Sequence, residues 1–186
     1  MVGKSVFGVG ALMAASVTAQ TAPDFPIQVS QQLGVAYGNN TVSPPGEKFP
    51  RPETANPPSI NFSPSTPSPS TSRAVLLMVD TEVPQNNTRV QLIHWLATNI
   101  TLSTTTPLAI PSPQPVPYLQ PSPPVGDIPH TYSFLLYPQP DNFSIPAQYA
   151  DLAQNRIGFN VTQFVADVGL TEPWAGNYIT VQNLTG

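Results

Sequence analysis

Residues 122–137, SPPVGDIPHTYSFLLY, run out of a proline-rich loop straight into an apolar strand, with His130 at the seam. Successive strand side chains point to opposite faces, so His130, Tyr132, Phe134 and Leu136 share one side. The chain has two histidines in 186 residues, and one of them stands at the mouth of a strand built for a hydrophobic core. Two earlier segments have the same character. AVLLMVD, 74–80, is a continuous apolar run closed by Asp80, as for a strand buried on both faces. RVQLIHWLATNI, 89–100, alternates. That places Val90, Leu92, His94 and Leu96 on one side, and Gln91, Ile93, Trp95 and Ala97 on the other.

Between these strands the chain is punctuated by proline. Residues 44–72 and 107–129 contain too many to form a regular central element, because proline brings no amide proton to a ladder or a helix interior. They are expected to be long surface loops of one domain. Helical signals come late. NVTQFVADVG sets Val161, Phe164, Val165 and Val168 at helical spacing, with Asn160 to cap and Gly169 to terminate. SIPAQYADLAQNR suggests a weaker helix capped by Ser144.

The first twenty residues, MVGKSVFGVGALMAASVTAQ, have the order of a secretory signal peptide: Lys4, an apolar run, then small residues ending at Ala19. Cleavage there leaves 20–186 as a single domain and implies an extracellular location. No later stretch is apolar enough to anchor in a membrane, so no integral membrane anchor is expected. Removal of Lys4 takes the formal charge from −4 to −5, which disfavours nucleic acid as a partner, since phosphate binding needs clustered cations. Only 9% of residues are charged, against about a quarter in ordinary soluble domains. Asn-x-Ser/Thr acceptors stand at Asn39, Asn61, Asn86, Asn99, Asn142, Asn160 and Asn183. Glycans at several of them are the expected substitute for surface charge. Asn160 has two claims on it, and a capping side chain is poorly free to carry sugar, so one role is expected to fail. The composition of residues 63–72 adds O-glycosylation. There is no cysteine, which removes disulfides, thiol catalysis and thiolate metal sites.

Asp80, His94, His130 and Tyr132 all lie where apolar runs start, stop or are interrupted. If their strands are neighbours, the groups meet at one sheet edge. A carboxylate beside an imidazole favours the imidazolium, so two imidazoles and a phenol would suit a small anion such as a phosphate headgroup. Each residue has an ordinary reading too: His94 as a satisfied core histidine, Asp80 as a turn residue bonding its own backbone, His130 as a loop cap.

The order VDTEVP (79–84), IHWLATN (93–99) and SPPVGDIPHTYSFLLY resembles the phosphatidylethanolamine-binding protein family. That family's pattern runs Asp-x-Asp-x-Pro, a strand histidine followed by an aromatic, a Gly-Pro-Pro element, and His-Arg-Tyr opening a strand. RIGFNVTQFVADVGLTEPWAGNYI, 156–179, is similar to its Arg-x-x-Phe-Asn helix and Pro-x-Ala-Gly-Asn turn, and GVAYGNNTVSPPGEKF and ETANPPSINFS to its opening strands. The resemblance implies a mainly β fold, an antiparallel β-sandwich with a few short peripheral helices, and an anion pocket formed by Asp80, His94, Pro124, His130 and Tyr132. Three departures stand out. Glu82 replaces the second acid, and Ser122 replaces the pocket glycine, narrowing the site or donating to the anion. Thr131 replaces the arginine and points away from the pocket face.

These readings make the chain a secreted binding protein for a small anion or a phospholipid headgroup, not an enzyme, with no cofactor. The alternative is an inhibitor of a secreted hydrolase such as a serine carboxypeptidase, an activity found in some members of that family. A hydrolytic triad through Ser122 is disfavoured, because QPSPPV is no nucleophile elbow. Metal catalysis is weaker still, since two histidines and a carboxylate lack HExxH-like spacing.

Overall fold

The computed structural model describes residues 19–62, 72–102 and 107–185. The expected signal peptide therefore falls outside the described residues except for Ala19, and the expected O-glycosylation at 63–72 falls outside except for Ser72. A six-stranded sheet is built from β3 (Glu47–Pro50), β5 (Arg73–Gln85), β6 (Thr88–Thr101), β7 (His130–Pro138), β8 (Ile157–Phe159) and β9 (Ala175–Gln182), in the order β3-β9-β7-β5-β6-β8. Its pairs are antiparallel except β3–β9, which is parallel at the edge. A smaller antiparallel sheet, β2-β1-β4, holds β1 (Gly34–Tyr37), β2 (Asn40–Thr41) and β4 (Ser59–Asn61). The proline-rich stretches supply the edge strands β3 and β4 and the loop 107–129, and no central strand. That is where a missing ladder donor does least harm.

The central strand β5 shows why AVLLMVD is apolar throughout. Ala74, Leu76 and Met78 face the core between the sheets, with Val35, Ile60, Trp95 and Phe134. Val75, Leu77 and Val79 face a second core under the N-terminal segment and α1 (Val161–Asp167), with Phe25, Leu135, Val161 and Phe164. All six are fully buried. Strand β7 follows the expected alternation, with Tyr132, Phe134 and Leu136 in one core and Leu135 and Tyr137 in the other. Asn86 and Asn87 connect β5 to β6 with φ of 48° and 61°, the positive values a two-residue hairpin turn requires.

Strand β6 does not follow simple alternation. Trp95 lies opposite Met78 but Ile93 lies opposite Val79, so His94 is an extra residue, a β-bulge. The bulge resets the pleat. Ile93 and Leu96 enter one core, while Trp95 and Ala97 enter the other, correcting the expected grouping of Leu96 with His94 and of Ile93 with Trp95. Extra residues of this kind re-aim side chains, which is why they gather at sites.

Helix α1 begins as expected. Asn160 Oδ1 accepts from the Gln163 amide at 3.0 Å, and Gly169 follows the helix at φ +69°. The cap uses Oδ1 and leaves Nδ2, the atom a glycan joins, so the two roles of this exposed residue do not compete. The helix expected from Ser144 is only a 3-10 turn, Ala147–Tyr149, with no side-chain cap. None of its three residues is fully buried, and only Tyr149 packs against the core, on Phe164, too little to hold a short helix. Of the seven acceptor asparagines, Asn39, Asn86, Asn99, Asn142 and Asn160 are exposed, and Asn61 and Asn183 are half-buried.

Candidate functional site

Asp80 ends the buried part of β5, and each of its carboxylate oxygens accepts a hydrogen bond. Its Oδ1 accepts from the Glu82 amide at 2.7 Å, closing a turn. Its Oδ2 accepts from His130 Nδ1 at 2.8 Å. β7 lies beside β5 with Asp80 opposite Tyr132, which puts His130 within reach of the carboxylate although 50 residues separate them.

His94 comes from the bulge in β6. Its Nδ1 donates to the Leu119 carbonyl at 2.8 Å. Its own carbonyl, freed from the ladder, accepts from the Leu119 amide at 2.8 Å and from the Arg156 guanidinium at 3.2 Å. These bonds clamp the loop 117–120 onto the strand and fix the ring, leaving Nε2 3.8 Å from Asp80 Oδ2. That separation is too long for a hydrogen bond. The edge of one ring meets the face of the other between His94 and Tyr132, with centroids 4.9 Å apart.

Together these side chains form one wall of a pocket of about 410 Å³. Asp80, His94, Ser122, Pro124, His130 and Tyr132 all line it, so all six expected residues converge. Thr131 does not line it. Leu92, Val83, Pro84, Leu119 and Gln120 complete the lining. Ser122 Oγ accepts from Arg51 Nε at 3.2 Å, which brings a guanidinium to the rim of the pocket.

The two imidazoles differ. Burial depresses the pKa of His94, and this outweighs the Leu119 carbonyl and the Asp80 charge, which favour protonation. Burial also opposes a charge on His130, but there the hydrogen bonds and charges of Asp80 and Asp127 prevail and raise its pKa. The two rings are thus shifted in opposite directions, His130 toward the charged form and His94 away from it. The Tyr132 hydroxyl is buried, close to the Asp80 carboxylate that faces it from β5. Burial, and then the Asp80 charge, push its pKa far up, so it stays a donor.

Asp127 and Arg89 went unnoticed in the sequence. Asp127 Oδ2 accepts from His130 Nε2 at 3.1 Å, so both ring nitrogens of His130 are held by carboxylates. Arg89 grips Asp127 with two bonds of 2.7 Å. The Arg89 bonds, followed by the His130 bond, hold the Asp127 carboxyl well below the usual carboxylate range. The available signals were Asp three residues ahead of His130 and the turn glycine Gly126, at φ +78°.

The sequence model of the phosphatidylethanolamine-binding proteins matches residues 39–179. The chain belongs to this family. It is 31% identical over 190 residues to the phomoidride biosynthesis cluster protein N of Talaromyces stipitatus, across 94% of this chain and 95% of that protein. It is 29% identical over 160 residues to a 26 kDa secreted antigen of Toxocara canis, covering 82% of this chain but 57% of that protein. Its fold is like that of the carboxypeptidase Y inhibitor in complex with its cognate proteinase, with TM-score 0.62, 21% identity, and 84% and 85% of the two chains covered. Among phosphatidylethanolamine-binding proteins this chain is thus a mainly β member in which the sequence motifs of three strands meet at a single pocket.

Proposed function

We propose that the protein is a secreted, single-domain binding module whose pocket holds a small anion, most naturally the phosphate of a lipid headgroup. One observation carries the reading: His94 lines the pocket with an Nε2 that has no hydrogen bond, its ring packed edge to face on Tyr132 with centroids 4.9 Å apart. A buried polar atom left unmade costs about 1–3 kcal/mol, and a protonated Nε2 facing an anion oxygen in the pocket would gain that bond. His130 is already bonded on both nitrogens, so the anion sits between Tyr132 and His94, with the Asp80–His130 pair behind it. Secretion is supported by the leader-like N-terminus, by five exposed glycan acceptors and by similarity to a secreted antigen. No helix among the described residues is long and apolar enough to cross a membrane.

The reading fixes a pH dependence. His94 is surrounded by Asp80 from β5, His130 and Tyr132 from β7 and Arg156 from the segment before β8. Free, its pKa is depressed; an anion against Nε2 raises it, so binding takes up a proton. Affinity then rises as pH falls from neutral, by at most about tenfold per pH unit, and levels off below the free-state value. Calorimetry with glycerophosphoethanolamine at neutral and mildly acidic pH tests this. Binding should strengthen on acidification and be lost in His94→Ala. No heat at either pH would refute the reading.

A second reading, inhibition of a secreted serine carboxypeptidase, is favoured by the fold likeness to the carboxypeptidase Y inhibitor. It is also favoured by Val125 and Ile128, 61% and 48% exposed, on the loop leading into β7. Inhibition assays on a carboxypeptidase panel separate the two: an inhibitory loop fails in Val125→Asp and tolerates His94→Ala.

A further inference from the structure

Far from the pocket, the chain enters the folded body at a single bond. Ala19 is exposed, whereas Gln20 is 9% exposed and Thr21 only 1%. From there the segment is fixed. The Gln20 amide donates to the Val29 carbonyl at 2.7 Å, and Thr21 Oγ1 donates to the Ile27 carbonyl at 2.8 Å. Gln28 Nε2 donates to the Ala22 and Phe25 carbonyls. Ala22, Phe25 and Val29 pack into the core beneath the six-stranded sheet. Thr21 sits so close to β9 that a side chain at Gly176 would meet its Cγ2 at 3.0 Å. This point of entry coincides with the small-residue end of the leader, Val17-x-Ala19.

We propose that the mature chain begins at Gln20 and that Gln20 is closed to a pyroglutamate, a five-membered lactam. The inference rests on the reading of the protein as secreted and states what removal of the leader leaves behind. Cleavage after Ala19 turns the Gln20 amide nitrogen into an α-amine. That nitrogen attacks Cδ of its own side chain. The N–Cδ bond forms and the Cδ–Nε2 bond breaks. The side-chain nitrogen leaves as ammonia, taking one proton from the amine. No oxidant and no second reactant is consumed. Closure is favoured because both reacting groups belong to one residue, which removes the entropy of bringing them together.

The docked segment suits the lactam better than the open amine. An α-amine has an ordinary pKa of about 7.7–8.0, so at neutral pH it is an ammonium, and burying a charge is costly. The lactam has no charge, and its one N–H remains for the Val29 carbonyl. A cavity of about 250 Å³ adjoins this point, lined by Ala19, Gln28, Val29 and Ser30, with room for the ring. Closure precedes docking, because the docked segment hides the residue. The closed terminus then presents no ammonium to the aminopeptidases a secreted chain meets.

Tandem mass spectrometry of the N-terminal peptide tests this on the full chain, expressed in a eukaryotic host under its own leader. The peptide should begin at Gln20 and weigh about 17 Da less than its sequence requires, the mass of one ammonia. A synthetic peptide with an uncyclised N-terminal glutamine, carried through the same workup, reports any closure during handling. Gln20→Asn cannot close, since its ring would be four-membered. It should be secreted with no loss of mass and should unfold about 2–4 °C lower. Pyroglutamyl aminopeptidase should spare the native protein while cleaving a synthetic pyroglutamyl peptide of residues 20–29; removal of the ring from the native protein would overturn its docking. An unmodified Gln20 at the N-terminus overturns the proposal and leaves secretion standing. A chain that keeps Met1 and stays in the cell refutes the secreted reading itself, and one that starts at another residue refutes the cleavage point; either takes the lactam with it.

Discussion

The mouth of β7 and the bulge of β6 each present one histidine to the same cavity, and the two behave oppositely. His130 is 1% exposed and His94 is 4% exposed, and what surrounds the two rings differs. His130 has a carboxylate on each nitrogen and holds its proton. His94 has a neutral carbonyl on one nitrogen and an open cavity at the other, and burial shifts it toward the neutral form. His130 is thus held on both ring nitrogens, whereas His94 is held on one and keeps the other toward the pocket.

The largest effect that breaks this contrast comes from its shared carboxylate. Asp80→Ala strands a buried imidazolium and opens the turn at Glu82, and it should cost about 3–5 kcal/mol. Urea unfolding measures it, and a loss under about 1 kcal/mol would mean the pair is not held as described. His94→Ala should cost less, about 1–3 kcal/mol for a buried polar group with one good bond, while abolishing anion binding in calorimetry.

Stability against pH sharpens the contrast further. The pKa of His130 is raised in the fold, so its contribution is complete below the ordinary histidine value of about 6.5 and fades as pH rises through the folded value. The pKa of His94 is lowered, so its contribution is complete above that value and fades as pH falls toward the folded one. Denaturation across this range should show a shallow maximum between the two limbs. His130→Gln should remove the alkaline limb and His94→Gln the acid limb; a variant that removes the opposite limb would reverse the assignment. The smallest effect belongs to Tyr132→Phe. Loss of a buried hydroxyl beside Asp80 should change stability by no more than about 1 kcal/mol, yet weaken anion binding.

Much of this was legible in the sequence, for reasons that differ by element. β5 and β7 could be read because their patterns depend on their own residues: a run buried on both faces, and a period of two. The six pocket residues could be named because motifs on three strands kept their order. The bulge at His94 could not, since an extra residue exists only relative to its partner strand, and its sign is the register between Met78 and Trp95. Asp127 and Arg89, 38 residues apart, escaped because the loop that joins them to the site has no periodicity. The Ser144 segment had cap chemistry, but the structure gives its 3-10 turn no side-chain cap, and its core contacts at Ile145 and Tyr149 did not make a helix.

Two histidines in the whole chain make the central claim directly measurable. A long-range nitrogen–proton NMR spectrum of the imidazole rings, taken at neutral pH with and without glycerophosphoethanolamine, reports both charge states and both tautomers. One ring should be doubly protonated throughout. The other should be neutral with its proton on Nδ1 when free, and should become imidazolium when the ligand saturates. Two rings titrating alike near the ordinary histidine value, or a second ring unmoved by bound ligand, would contradict the division of labour between His130 and His94.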